Sequence, residues 1–168
     1  MSPKDQPRRL VITALFAGAI TVMTAYMLHI PIPTGGYIHL GDALIYLAAC
    51  LLPTPYAAAA AAIGAGLADL LTAPVWVIPT LAIKSLLVLF FTSRTQRILC
   101  RRNIAAAVLA GLFSPAAYAL AGCAMAGTTA AFVPQFLGTL VQGFGSGALF
   151  LVTASALDGV KLKERAGA

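Results

Sequence analysis

The positions of the basic residues constrain this chain more than any other feature of its sequence. Ten of the eleven Lys and Arg residues fall outside the long apolar stretches, in three clusters. The clusters are Lys4/Arg8/Arg9, Arg94/Arg97/Arg101/Arg102 and Lys161/Lys163/Arg165. The eleventh, Lys84, lies inside an apolar stretch. Because a buried ammonium is expensive in hydrocarbon unless it faces a cavity or a partner, Lys84 is a candidate site residue of a polytopic membrane protein.

Composition supports a single membrane domain over residues 1–168. Hydrophobic residues make up 60% of the chain, the mean hydropathy is +0.91, and only 10% of the residues are charged. Soluble domains carry roughly 25% charged residues. The formal net charge of +6 is compatible with nucleic-acid binding, but the basic residues flank apolar spans. They are better explained as topology signals and contacts to an anionic bilayer, so no nucleic-acid partner is predicted.

The apolar stretches predict an all-α integral membrane protein with six transmembrane helices. The predicted helices cover residues 10–28, 42–53, 56–71, 75–92, 104–126 and 135–157. About 20 apolar residues cross a bilayer core, so the second helix is expected to be short or tilted. The first stretch follows basic residues as in a signal peptide, but it is too long and is interpreted as the first membrane helix. Prolines and glycines in residues 29–42 predict a structured loop.

Six crossings predict the orientation of the chain in its membrane. Both termini and the connection between helices four and five then lie on one side, together with all three basic clusters. The connections expected on the other side contain no Lys or Arg. Because basic loops stay in the cytoplasm, both termini are predicted to be cytoplasmic, with the structured loop outside.

Two charged residues flank the tight turn at residues 72–74, between the third and fourth predicted helices. Asp69 precedes the turn and Lys84 follows it, so they are expected at a similar depth. They either form a structural ion pair or belong to a polar pocket that holds a solute. Asp42, at the start of the second helix, approaches from the same side.

Further polar and aromatic residues have the same predicted depth. Trp76 follows the tight turn, Gln135 and Gln142 lie in the sixth helix toward the same side, and Tyr118 lies in the outer half of the fifth. Singly, Trp76 is explained as an interfacial anchor and the others as hydrogen-bonding groups between helices. Together they predict a small-molecule cavity of mixed character.

The glycine-rich loop before the second helix adds two candidate ligand contacts. Tyr37 offers a stacking face and His39 a titratable hydrogen-bonding group, while Asp42 is equally well placed to cap the helix. The spacing of His29, His39 and Asp42 matches no standard metal motif, so no metal site is predicted. No cofactor is predicted either.

The sequence contains no motif of an enzyme that turns over substrate or ATP. A P-loop, a GxSxG elbow and an HExxH motif are all absent. A solute site without an evident energy source suggests a binding subunit that is driven by a partner. Two other classes stay open: a self-sufficient ion-coupled carrier, and a structural membrane protein that uses its charges only for packing.

Three runs of sequence resemble a known family. They are Gly36–Ala49, Ala65–Leu71 and Trp76–Lys84. Together with the size and six predicted helices, they resemble the S components of energy-coupling factor (ECF) vitamin transporters, in the riboflavin- and hydroxymethylpyrimidine-like group. The resemblance is strong over residues 36–91 and elsewhere extends only to topology.

The resemblance implies a function and a set of partners. An S component binds a small vitamin or precursor, such as riboflavin, hydroxymethylpyrimidine or a pyridoxine-like compound, in its outer half beneath the first outer loop. It works with a membrane-embedded T component and two ABC-type ATPase subunits. The family's Ala-x-x-x-Ala face toward the T component corresponds here to Ala14-x-x-x-Gly18.

Overall fold

The protein is a bundle of α-helices with one small hairpin. The structure, a computed structural model, describes residues 5–27, 30–31 and 37–166. Its helices are α1 (Asp5–Ala25), α2 (Asp42–Leu51), α3 (Thr54–Thr72), α4 (Val77–Val88), α5 (Arg101–Ala126), α6 (Phe132–Gly159) and α7 (Leu162–Ala166). Single 3₁₀ turns at Pro74–Trp76 and Thr129–Ala131 lead into α4 and α6. Between α1 and α2, strands β1 (Ile30–Pro31) and β2 (Tyr37–Ile38) pair antiparallel.

Four of the described helices are long and apolar enough to cross a membrane: α1, α3, α5 and α6. Each of the six predicted stretches contains a helix, but α2 has only 10 residues and α4 only 12. At about 1.5 Å per residue these two are much shorter than a 30 Å hydrocarbon core. The all-helical membrane architecture is therefore confirmed, whereas the count of six crossings stays a prediction.

The short helix α2 is the centre of the bundle. It contacts α1, α3, α4 and α6, and eight of its residues are buried. The ring of Tyr46 stacks on Phe91 at a centroid distance of 4.8 Å and meets Phe150 edge-on at 5.8 Å. Because other helices surround it, α2 does not need the length of a lipid-exposed span.

Small residues bring the long helices into close contact. A Cβ atom at Gly64 of α3 would lie 2.7 Å from the carbonyl oxygen of Ala17 in α1. A Cβ atom at Gly143 of α6 would likewise lie 2.7 Å from the carbonyl oxygen of Gly111 in α5. Glycine is therefore required at both crossings. By contrast, Ala14 and Gly18 lie on an exposed face of α1, and a Cβ atom at Gly18 would have no neighbour within 4 Å.

The irregular connection between α4 and α5, residues 89–100, is fixed to the helices around it. Asn103, which is fully buried, accepts a hydrogen bond from the amide of Thr92 and donates to the carbonyls of Thr92 and Ile98. The carboxylate of Asp158 accepts hydrogen bonds from the backbone amides of Ile98 and Leu99, both at 2.8 Å.

Lys163 of α7 also holds this connection. Its Nζ donates to the carbonyls of Ser93 and Thr95 at 2.8 and 2.6 Å, and burial lowers the pKa of its ammonium group. The second and third basic clusters therefore meet at one end of the bundle. We call this the basic end, comprising residues 89–102 and 158–165.

Candidate functional site

A cavity lies at the end of the bundle opposite the basic end. Including the space open at its mouth, it encloses about 330 Å³. The residues that line it come from the end of α3, the start of α6, the second half of α5, the 3₁₀ turn before α4 and the approach to α2. They are His39, Asp69, Trp76, Tyr118, Gln135, Thr139 and Gln142. A concave site with aromatic walls and a few convergent polar groups is typical of small-molecule binding.

Two aromatic rings form one wall of the cavity. The turn at Pro74–Trp76 folds Trp76 inward, so that its side chain is only 6% exposed. Its ring lies 5.7 Å from the ring of Tyr118, centroid to centroid, at an interplanar angle of 57°. Trp76 is therefore buried against the cavity and does not have the position of an exposed interfacial anchor.

Asp69 ends a short chain of hydrogen bonds along the cavity wall. The hydroxyl of Thr80 donates to Asp69 Oδ2 in a very short hydrogen bond. Thr80 has one proton, and an ionised carboxylate can only accept. The Tyr118 hydroxyl, 2.7 Å from Thr80 Oγ1, is therefore the donor in the second hydrogen bond. The order of donation runs from Tyr118 through Thr80 to Asp69.

Lys84 has a different partner from the one that the sequence suggested. Its Nζ lies 2.7 Å from Asp42 Oδ1 and donates to Asp42 Oδ2 at 2.8 Å. Both side chains are almost completely buried. The pair joins α2 to α4. Asp69 instead accepts a hydrogen bond from the hydroxyl of Thr80. The sequence left a structural pair of Asp69 with Lys84 as one of two alternatives, whereas in the structure Lys84 pairs with Asp42.

The ion pair lies directly behind the cavity wall. Lys84 Nζ is 5.0 Å from the centroid of the Tyr118 ring, a cation–π distance. On the other side of the pair, Gln142 Nε2 donates to Asp42 Oδ2 at 3.3 Å. Tyr118 and Gln142 both line the cavity, so the ion pair supports two of its lining residues without lining it.

His39, which lies three residues before the start of α2, lines the cavity. Its Nδ1 accepts the amide of Gly41 at 3.0 Å, and the side chain is 6% exposed. A Cβ atom at Gly41 would lie 2.0 Å from Thr24 Oγ1, so the chain passes α1 too closely for any other residue. The backbone of Tyr37 forms β2, whereas its side chain lies outside the described residues.

The seven residues predicted from the sequence therefore fall into three groups. Asp69, Trp76, His39 and Gln142 line the cavity, together with Tyr118 and Gln135, which were expected at the same depth. Asp42 and Lys84 lie behind the wall. The contact of Tyr37 with a ligand stays a prediction.

Sequence reasoning missed two hydroxyl groups at this site. Thr80 lies four residues before Lys84, and Thr139 lies four residues after Gln135, so each shares a helix face with a predicted site residue. Helical spacing was thus a usable signal for both.

In the described part of the chain, no group of three or more His, Cys, Asp or Glu side chains is arranged to hold a metal ion. His29, the remaining residue of the metal set considered from the sequence, lies outside the described residues.

Comparison with known proteins now decides the family. The family model for the S component of the ECF-type riboflavin transporter matches residues 4–159. This chain belongs to that family. The search of curated proteins found no match.

Membership confirms the resemblance seen in the sequence and explains two features of the structure. The family consists of vitamin-uptake S components, which are membrane-embedded transport subunits, not enzymes. Four apolar helices of spanning length are expected of such a multi-pass subunit. The cavity at one end of the bundle is the feature that a substrate-binding subunit requires.

Proposed function

We propose that this chain captures a small water-soluble vitamin or precursor from outside the cell, in the cavity lined by Asp69, Trp76 and Gln142. Candidate ligands are riboflavin, hydroxymethylpyrimidine and a pyridoxine-like compound. The observation that carries the proposal is the convergence of buried polar and aromatic side chains on one cavity, in a chain of the S-component family. The basic end then faces the cytoplasm, and the cavity opens to the outside.

Import would be driven by partners. We infer that the chain joins a T component and two ABC-type ATPase subunits in a prokaryotic plasma membrane. The exposed face of α1 that carries Ala14 and Gly18 is the proposed surface for the T component, because small residues let two helices approach closely.

A binding experiment tests the cavity. The chain is purified in detergent and analysed by native mass spectrometry for a retained ligand. Titration calorimetry with riboflavin, hydroxymethylpyrimidine and pyridoxine follows. Asp69→Asn removes the charge that accepts the Thr80 hydroxyl, and it is expected to weaken binding at least 10-fold. Leu70→Ala, at the neighbouring exposed position, is the control. Equal affinity of Asp69→Asn and Leu70→Ala would reject the site assignment.

An uptake experiment tests the coupling. Cells that express the chain with a T component and both ATPase subunits should accumulate the vitamin, and cells with inactivated ATPases should not. Uptake that persists without the ATPase subunits would instead indicate a self-sufficient carrier.

A further inference from the structure

Two hydroxyl groups in the core of the bundle have no hydrogen-bond partner in the part of the chain that the structure describes. They are Tyr46 Oη in α2 and Ser146 Oγ in α6, and both side chains are 0% exposed. The cavity is lined by other residues. A buried hydroxyl without a partner is costly, and such groups nearly always bond to protein or to an ordered water. These two hydroxyls therefore need a partner that the surrounding side chains do not supply.

The packing of α2 on α6 brings the two hydroxyls to a similar level. Gln142 of α6 donates to Asp42 of α2. One turn later in α2, the ring of Tyr46 meets the ring of Phe150 edge-on at 5.8 Å. The two helices therefore run in the same direction along this contact. Ser146 lies one turn after Gln142 and one turn before Phe150, so it shares the face of α6 that meets α2.

The side chain of Tyr46 leads back toward Asp42. Aromatic side chains of an α-helix lean toward its N-terminus, and Tyr46 lies four residues after Asp42 on the same face of α2. Asp42 Oδ1 is 2.7 Å from Lys84 Nζ, but a carboxylate oxygen has two lone pairs and can accept a second hydrogen bond. Two hydroxyl donors and one acceptor thus converge between α2 and α6.

We propose that these three groups bind one internal water molecule, about one turn closer to the basic end than the Asp42–Lys84 pair. The water accepts a proton from Tyr46 and from Ser146 and donates one to Asp42 Oδ1. Three hydrogen bonds to otherwise unsatisfied groups are typical of a buried water. The water extends the polar network of the cavity wall into the core, so that hydrogen bonds join α2 to α6 at two levels.

The charges around the site favour a neutral ligand. A metal cation is disfavoured, because the Lys84 ammonium already lies 2.7 Å from the same carboxylate oxygen and would repel it. An anion is disfavoured by the Asp42 carboxylate. Water is small and neutral, and it both donates and accepts.

Deletion of each hydroxyl distinguishes a hydrated group from an unsatisfied one. Tyr46→Phe and Ser146→Ala each remove one oxygen and keep the rest of the side chain. Each should lower the folding equilibrium constant roughly 5- to 10-fold, because a hydrogen bond to the water is lost. An unsatisfied hydroxyl would give the opposite sign, since its deletion removes a desolvation cost. Reversible unfolding of the full chain by SDS in mixed micelles measures the constant.

A double variant tests whether the two hydroxyls share the water. Tyr46→Phe combined with Ser146→Ala should lower the folding equilibrium constant by much less than the product of the two single effects, because either substitution already loosens the same water. The matched controls are Tyr26→Phe, at a residue that is 69% exposed, and Ser155→Ala, at an exposed position of α6. Each control should change the constant by less than about 2-fold.

The composition of the salt distinguishes the water from a bound cation. Replacement of sodium chloride by choline chloride at equal concentration should leave the folding equilibrium of the wild-type chain unchanged, whereas a sodium site would lose its ligand and its stability. The inference would be overturned by a fall in choline chloride, by single variants that fold as well as the wild type or better, or by single effects that multiply in the double variant.

Discussion

Lys84 and Asp42, 42 positions apart in the sequence, form a buried ion pair in which Nζ lies 2.7 Å from Oδ1. The pair connects α4 to the central helix α2, and its two sides support Tyr118 and Gln142 in the cavity wall. A pair in this position has two roles that can be measured separately. One is to stabilise the bundle, and the other is to hold the side chains of Tyr118 and Gln142 in position in the cavity wall.

Removing one partner of this pair should destabilise the protein strongly. Lys84→Met retains most of the side-chain volume but leaves the Asp42 carboxylate buried without a counter-charge. We expect a loss of about 3–5 kcal/mol in the free energy of unfolding. Thermal unfolding of the purified chain in detergent measures it.

A double-mutant cycle gives the control. Lys84→Met combined with Asp42→Asn removes both charges, so the double variant should be more stable than Lys84→Met alone. If the two substitutions were additive, the pair would not be coupled and the assignment would be incorrect.

The partner of Lys84 was beyond the reach of sequence reasoning. Asp69 and Lys84 lie close together in the chain across a tight turn, and hydropathy placed both at one depth. The depth of a residue in the membrane does not tell which neighbouring helix its side chain faces. In the structure, Lys84 faces α2. The contact depends on the central position of α2, which only tertiary packing determines.

Other parts of the site could be predicted from the sequence without knowledge of the tertiary packing. Trp76 and Gln135 were placed at one depth because each lies near a helix end that a proline or glycine turn defines, and Gln142 follows Gln135 about two turns later in the same helix. The four spanning helices were found because a long apolar stretch has few other uses. The short length of α2 was expected from the sequence, whereas that of α4 (Val77–Val88) was not, since burial by neighbouring helices replaces the lipid contact that sets the length of a span.

Trp76 should report ligand binding directly. It is the single Trp of the chain and lines the cavity beside Tyr118. A vitamin or precursor that binds against this wall should change the Trp76 emission and slow its quenching by acrylamide. Fluorescence titration measures both effects. Trp76→Phe should lose the signal while calorimetry still detects binding, and an unchanged emission at saturating ligand would place the ligand elsewhere.

Substitution of Gly18 in α1 and of Gly64 in α3 should have different effects on stability. Gly64→Leu inserts a side chain where a Cβ atom already meets Ala17 and Ile20 at 2.7 and 2.8 Å, so α1 and α3 must separate. We expect a loss of about 1–3 kcal/mol or more in stability. Gly18→Leu points into open space and should leave stability and vitamin binding unchanged.

The same Gly18→Leu variant tests the proposed surface for the T component. Co-purification of the T component and the ATPase subunits with the chain should fall sharply, because the added side chain prevents close helix contact. Ala124→Leu, which places the same side chain on an exposed position of α5, is the control. Normal assembly by Gly18→Leu would exclude this face of α1 as the interface.

The stability of the basic end should depend on the buried side chain of Asn103. Asn103→Ala removes three hydrogen bonds from residues 89–100 and leaves buried backbone groups without partners, which should cost about 2–4 kcal/mol. Gln96→Ala, at an exposed position of the same connection, should change stability by no more than about 0.5 kcal/mol. Labelling of the buried thiol of Cys50 during heating measures both, in a chain with Cys100→Ser and Cys123→Ser. If Asn103→Ala unfolded at the same temperature as Gln96→Ala, the hydrogen bonds of Asn103 would not be what holds this end of the bundle together.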